Sequence, residues 1–117
     1  MTNYYCYMIV NDKNHTYIGI TNNINKRLDQ HNGKIANGAK HTKKSNNWVY
    51  YYILGGDNLT KSLISSFEWY WKHRKSKITD KWYIVTTLKN RKIRLIELLK
   101  KDEWKNIKIL KVEKFKI

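Results

Sequence analysis

The chain has 117 residues, enough for one small domain over residues 1–117 with a core that stands without staples. Twenty-four Lys and Arg against nine Asp and Glu leave a net charge of +15, and 20 of those cations are Lys. Such a chain folds against its own repulsion, so a polyanion, nucleic acid first, is the expected partner. Cys6 is the only cysteine, which excludes a disulfide framework and a cysteine-based zinc site and fits a reducing, intracellular compartment. No run approaches the roughly 18 apolar residues of a membrane span, so no membrane partner is expected. The first apolar run breaks at Asn11 without a cleavage signature, so neither is a signal peptide.

Residues 4–10 and 15–21 are predicted strands, joined by the polar turn Asn11-Asp12-Lys13-Asn14. Tyr7 and Tyr17 share a face of this hairpin if they oppose each other, which needs an even register and an odd loop such as Asn11 to Lys13. Gly19, two on from Tyr17, leaves that face bare for a ligand or a close backbone. Taken alone, two strand tyrosines are core or surface aromatics. A short helix follows, capped by Thr21, Asn22 or Asn23 and stopped at Gly33. Its residues Ile24, Arg27, Leu28 and His31 fall on one side at about 100° per residue. A cation and an imidazole on an inward stripe need partners. An outward-snorkelling Arg and a His satisfied by a carbonyl would suffice.

Residues 32–47 make a Gly-, Asn- and Lys-rich loop, long enough for a compact domain to suggest function. Trp48–Leu54 reads as a third strand closed by Gly55-Gly56. A second helix is expected from Asn58 or Thr60 to about Lys75, and the stretch from Trp82 continues as helix, at least over Leu88 to Lys101. The end, from Ile107, alternates well enough for a fourth, edge strand. The class is therefore α+β: an α/β sandwich with a small antiparallel-led sheet flanked by helices. In the second helix Leu63, Ile64, Phe67 and Trp71 form the apolar arc, and Glu68 lies roughly 40° past Ile64 at its edge. Glu68 is the only carboxylate between Asp57 and Asp80. It suits either a surface salt bridge or one ligand of a hydrated Mg²⁺.

Tyr7, the Tyr17-Ile18-Gly19 tripeptide, and Arg27, His31 and Asn32 in "RLDQHN" together resemble the GIY-YIG endonucleases. "GAKHT", Trp48 and "FEWYW" resemble one branch, the small catalytic subunit of the Slx-one type, nearly end to end. Tyr5 and Cys6 stand where the family usually has glycine and an aliphatic. The resemblance implies a structure-specific endonuclease that cuts branched DNA such as flaps and Holliday junctions, in DNA repair and recombination. Tyr7, Tyr17, Arg27, His31 and Glu68 are its implied catalytic residues, with one Mg²⁺, or Mn²⁺ as a substitute, on Glu68. Arg27 would clamp the phosphate and Tyr7 would take the proton from water, with Tyr17 or His31 relaying or orienting it. Tyr7 or His31 is then the final acceptor. A phenol, with a free pKa of about 10, would need lowering by about three units to act near neutrality. Lys40, Thr42, Lys43 and Lys44 in the long loop are expected phosphate contacts. A cysteine-rich RING-type module cannot be built from one cysteine, so no scaffold-protein partner is expected. The rival reading is a basic nucleic-acid-binding module on the same fold with an idle site.

Overall fold

A computed structural model describes residues 3–33 and 47–112. The loop cations Lys40, Lys43 and Lys44, with Thr42, lie outside the described residues. Two β-rich runs, β1 (Tyr5–Val10) and β2 (Thr16–Thr21), pair as an antiparallel hairpin. Helix α1 (Ile24–His31) follows, its N-cap Asn23 accepting from the Lys26 amide, and Gly33 closes it with φ +74°. Strand β3 (Val49–Gly55) pairs with β1, and β6 (Lys108–Val112) pairs with β3, giving an antiparallel sheet of order β2-β1-β3-β6. Helices α2 (Lys61–Lys72) and α3 (Leu88–Leu99) start on threonine caps, Thr60 and Thr87, that accept from the Leu63 and Asn90 amides.

The period-2 alternation of β1 divides the interior between the two faces of the sheet. Cys6, Met8 and Val10 face Phe67 and Trp71 of α2 and Leu95 and Leu98 of α3. Tyr7 and Ile9 face the other way, with Trp48, Tyr50, Ile53 and the Ile24 and Leu28 stripe of α1. A bulge holds this division along β3. Met8 opposes Tyr52 and Ile9 opposes Tyr50, so Tyr51 is the extra residue and the two faces stay in phase.

Three expectations are corrected. The hairpin loop is five residues, Asn11 to His15, because Val10 pairs with Thr16. Its register is even, and the two tyrosines share a face, but diagonally: Tyr7 opposes Gly19 and Tyr17 opposes Ile9. Helix α2 ends at Lys72, not near Lys75. The run from Trp82 to Ile84 is not helical: it is β5, paired with β4 (His73–Lys75) in a separate two-stranded sheet. Aromatic and β-branched residues from Trp82 to Thr87 favour extended backbone, and only at the Thr87 cap does the helix begin.

Two arginines without an assigned role in the sequence brace this second half. Arg91 is buried and donates to the Val85 carbonyl and the Thr16 hydroxyl, tying α3 to β2. Arg94 is buried too, and its Nε donates to the Tyr70 and His73 carbonyls at the end of α2. The signal was in the sequence: Arg91, Arg94, Leu95 and Leu98 recur at helical spacing on one face.

Candidate active site

On the α1 side of the sheet, Tyr7 is wholly buried and its hydroxyl joins two side chains of α1. Arg27 Nε donates to Tyr7 Oη at 3.2 Å, and Tyr7 Oη lies 2.7 Å from His31 Nε2. Because Arg27 can only donate, the Tyr7 hydroxyl accepts there and keeps its own proton to donate to His31 Nε2 in the Nδ1–H tautomer. The result is a directed chain from guanidinium through phenol to imidazole. The four-residue spacing of Arg27 and His31 puts both on one face of α1, and the diagonal register of the hairpin sets Tyr17 beside them. The Tyr17 ring stands 4.8 Å from the His31 ring and 6.4 Å from the Tyr7 ring, and it is only partly buried. Neither cheap outcome for Arg27 and His31 occurs, since both bond to the same strand tyrosine.

Gly19 makes this packing possible. A Cβ built there would lie 2.6 Å from Tyr7 Oη, 2.9 Å from Tyr7 Cζ and 3.1 Å from Tyr17 Cε1. The bare face read from the sequence is filled by the Tyr7 ring itself. Gly19→Ala is therefore expected to push Tyr7 off its bonds, lowering stability by about 1–3 kcal/mol and catalysis with it. The denaturation midpoint and the turnover rate, measured together, check this.

Around the cluster, Tyr50 stands edge-on to Tyr7 at 5.5 Å and its hydroxyl donates to the Ile24 carbonyl at 2.5 Å, fixing the start of α1. The end of α1 is fixed by an exchange between Asn32 and Trp48. Asn32 Oδ1 accepts from the Trp48 amide at 2.7 Å, and Nδ2 donates to the Trp48 carbonyl at 3.0 Å. Asn32 thus behaves as one more paired residue of a sheet.

Burial governs the proton affinities. It pushes the Tyr7 phenol well above its ordinary value, and the hydrogen bond and charge of Arg27 offset only part of that. Without a metal ion, desolvation outweighs the one neighbouring cation and favours the neutral phenol. Burial, and then the Arg27 charge, push His31 down to about 4. The folded imidazole is neutral down to about pH 4, while an unfolded histidine protonates near about 6.5. The unfolded state therefore takes up the proton first, and stability falls as pH drops from about 6.5 towards 4. Thermal melts across that window check the sign, and His31→Gln is expected to flatten the slope.

Glu68 lies on the flank of α2, the helix packed across the opposite face against β1 and β2. Its carboxylate is 22% exposed and pairs with Lys72 one turn on, at 3.4 Å. After burial, its charge is the next influence raising the Cys6 thiol, and Cys6 is the chain neighbour of Tyr7. The structure thus brings Tyr7, Arg27, His31 and Tyr17 together and sets Glu68 on a separate element. Among the described residues no three His, Cys, Asp or Glu side chains gather as a metal cage. A partly exposed carboxylate that must give up its pair with Lys72 could still serve a hydrated Mg²⁺, which takes one or two protein ligands plus waters and phosphate oxygens.

A small antiparallel sheet with helices on both faces, carrying a Tyr–Arg–His chain beside a second tyrosine, has the makings of a catalytic domain. Residues 3–82 match the family described as the GIY-YIG catalytic domain. The chain belongs to the GIY-YIG family. It is 36% identical over 108 residues to a structure-specific endonuclease subunit SLX1 homolog from Cryptosporidium parvum, covering 86% of this chain and 26% of that protein. The structure-specific endonuclease subunit slx1 of Schizosaccharomyces japonicus is 41% identical over 76 residues, 62% of this chain and 28% of its own length. Uncharacterized protein L300 of Acanthamoeba polyphaga mimivirus is 41% identical over 81 residues, 66% of this chain and 47% of that protein. The chain therefore spans less than half the length of each of these relatives.

Proposed function

We propose that this domain hydrolyses DNA phosphodiester bonds as a metal-dependent, structure-specific endonuclease acting on branched DNA, flaps and Holliday junctions among them. The observation that carries the reading is the directed Arg27–Tyr7–His31 chain with Tyr17 at its rim. Arg27 Nε now occupies the Tyr7 lone pair that would have to accept a proton. A phosphate at the rim competes for that guanidinium, which binds phosphate oxygens more strongly than a neutral phenol. Drawing Arg27 onto the phosphate frees the Tyr7 lone pair and opens the way for water. As water attacks phosphorus in line with the leaving 3′ oxygen, its proton passes to Tyr7 Oη and the Tyr7 proton passes to His31 Nε2. This concerted shift needs no free phenolate. It asks His31, held down to about 4 by burial and then the Arg27 charge, to take the proton once Arg27 has turned to the phosphate anion. Arg27 stays on the non-bridging oxygens as their charge grows, and Tyr17 orients the water. Glu68 would hold Mg²⁺, or Mn²⁺ in its place, which would neutralise charge on the phosphate and the leaving oxygen.

Tyr7 being wholly buried favours the second reading, a binding module whose site is idle. One assay separates the two. Labelled Holliday junction, 5′ flap and linear duplex are incubated with Mg²⁺ or with EDTA. Metal-dependent nicking near the branch is the expected result. Tight binding with no cut under either condition would leave the binding module.

A further inference from the structure

The part of the surface least like a water-facing one lies on α2 and the β4–β5 hairpin, away from the Tyr7 cluster. Trp69 is 43% exposed and Trp82 44%, whereas Trp48, Trp71 and Trp104 are all buried. The two exposed indoles meet edge to face at 5.2 Å, and Trp69 stacks on His73 at 4.1 Å with 13° between the rings. The hairpin register pairs His73 with Ile84 and Lys75 with Trp82, so these four side chains share one face. The base is rigid: Arg94 holds the Tyr70 and His73 carbonyls, and the Val85 amide donates to the Lys72 carbonyl at 2.7 Å. Trp69 is the immediate neighbour of Glu68 in α2.

Charge identifies the occupant. From Lys72 to Trp82 the chain carries Lys72, Arg74, Lys75, Lys77 and Lys81 against Asp80 alone. Lys72, Arg74 and Lys75 do pair with Glu68, Glu97 and Asp80, but the Lys75–Asp80 pair is exposed and weak, and Lys77 and Lys81 add further cations. Protein-binding faces are depleted in lysine, whereas single-strand sites interleave aromatic rings with cations. A duplex, with its bases stacked inside, offers no ring faces to indoles. We infer that Trp69 and Trp82 form a stacking platform for the unpaired bases of a single DNA strand, with the surrounding lysines on its phosphates. This rests on the nuclease reading above and adds to it the means by which an unpaired arm next to the cut is held. Stacking reads no sequence, so the platform is expected to accept any base.

The test uses the whole chain and two probes, oligothymidylate of about 12 nucleotides, within the site sizes of single-strand binders, and an abasic strand with the same number of phosphates. Because the other three indoles are buried, quenching of tryptophan fluorescence reports Trp69 and Trp82. The expected result is quenching and tighter binding with oligothymidylate only. Trp82→Ala should weaken that binding by about 5- to 100-fold, and Trp82→Phe should restore most of it. Equal affinity for the two strands in the unaltered protein overturns the platform, with no variant needed. If duplex is still bound and cut in that case, the platform alone falls. If no DNA binds at all, the nuclease reading falls with it. A changed sedimentation coefficient in Trp82→Ala, with no loss of strand binding, would make this a face between copies of the chain and likewise overturn the platform.

Discussion

Tyr7→Phe is expected to slow cleavage by about 10²- to 10⁴-fold, the worth of a positioned proton acceptor, while DNA affinity holds. The change removes one oxygen and nothing else. It leaves His31 Nε2 without its donor and Arg27 Nε without its acceptor, at buried or half-buried positions. A stability cost of about 1–3 kcal/mol comes with it, so the assay must be run well below the melting transition. The relay makes a sharper demand. If His31 receives the Tyr7 proton, the two residues act as one unit, and their losses are not additive. Tyr7→Phe combined with His31→Gln should then cut no more slowly than Tyr7→Phe alone. Multiplying losses would mean that the two groups act separately, and cleavage by Tyr7→Phe at the unaltered rate would remove Tyr7 from the chemistry.

Glu68→Gln is expected to abolish cleavage, by about 10³-fold or more if a metal ion supplies several kcal/mol to the transition state. Glutamine keeps the size and the hydrogen-bonding capacity but not the charge. DNA binding should persist or tighten slightly, because an acid has been removed from a domain of net charge +15. Folding should be little affected, since an i,i+4 helix pair such as Glu68–Lys72 is worth under about 1 kcal/mol. Titrating Mn²⁺ into both proteins and comparing rates at each concentration separates lost metal affinity from a lost chemical role. Cutting at the unaltered rate without Glu68 would send the carboxylate back to its salt bridge with Lys72.

The two halves of the chain differ in how far they could be read in advance. From Tyr5 to Gly55 the alternation of the strands, the Asn23 cap and the Ile24–Leu28 stripe all favour one structure, and the elements fall where local preference puts them. From Lys72 to Thr86 the same kind of reading extended the helices too far. A basic stretch and an aromatic stretch, each tolerable in a helix, instead pair as a short hairpin, which Arg94 and the Val85 amide pin to α2. Those contacts join residues far apart in the chain, and no local pattern encodes them.

Sequence by itself determined the class of the fold, the net charge of +15, and which residue types could do chemistry, because periodicity and charge are properties of the chain. It also placed Arg27 and His31 on one inward face of α1. Tertiary structure alone decided that the hydroxyl between them is that of Tyr7, and that the register is diagonal rather than opposed. It also decided that Tyr7 is wholly buried, which favours its neutral form. Register depends on where the hairpin loop closes, and proton affinity depends on how much water folding leaves around a group. Both are set only when distant segments meet.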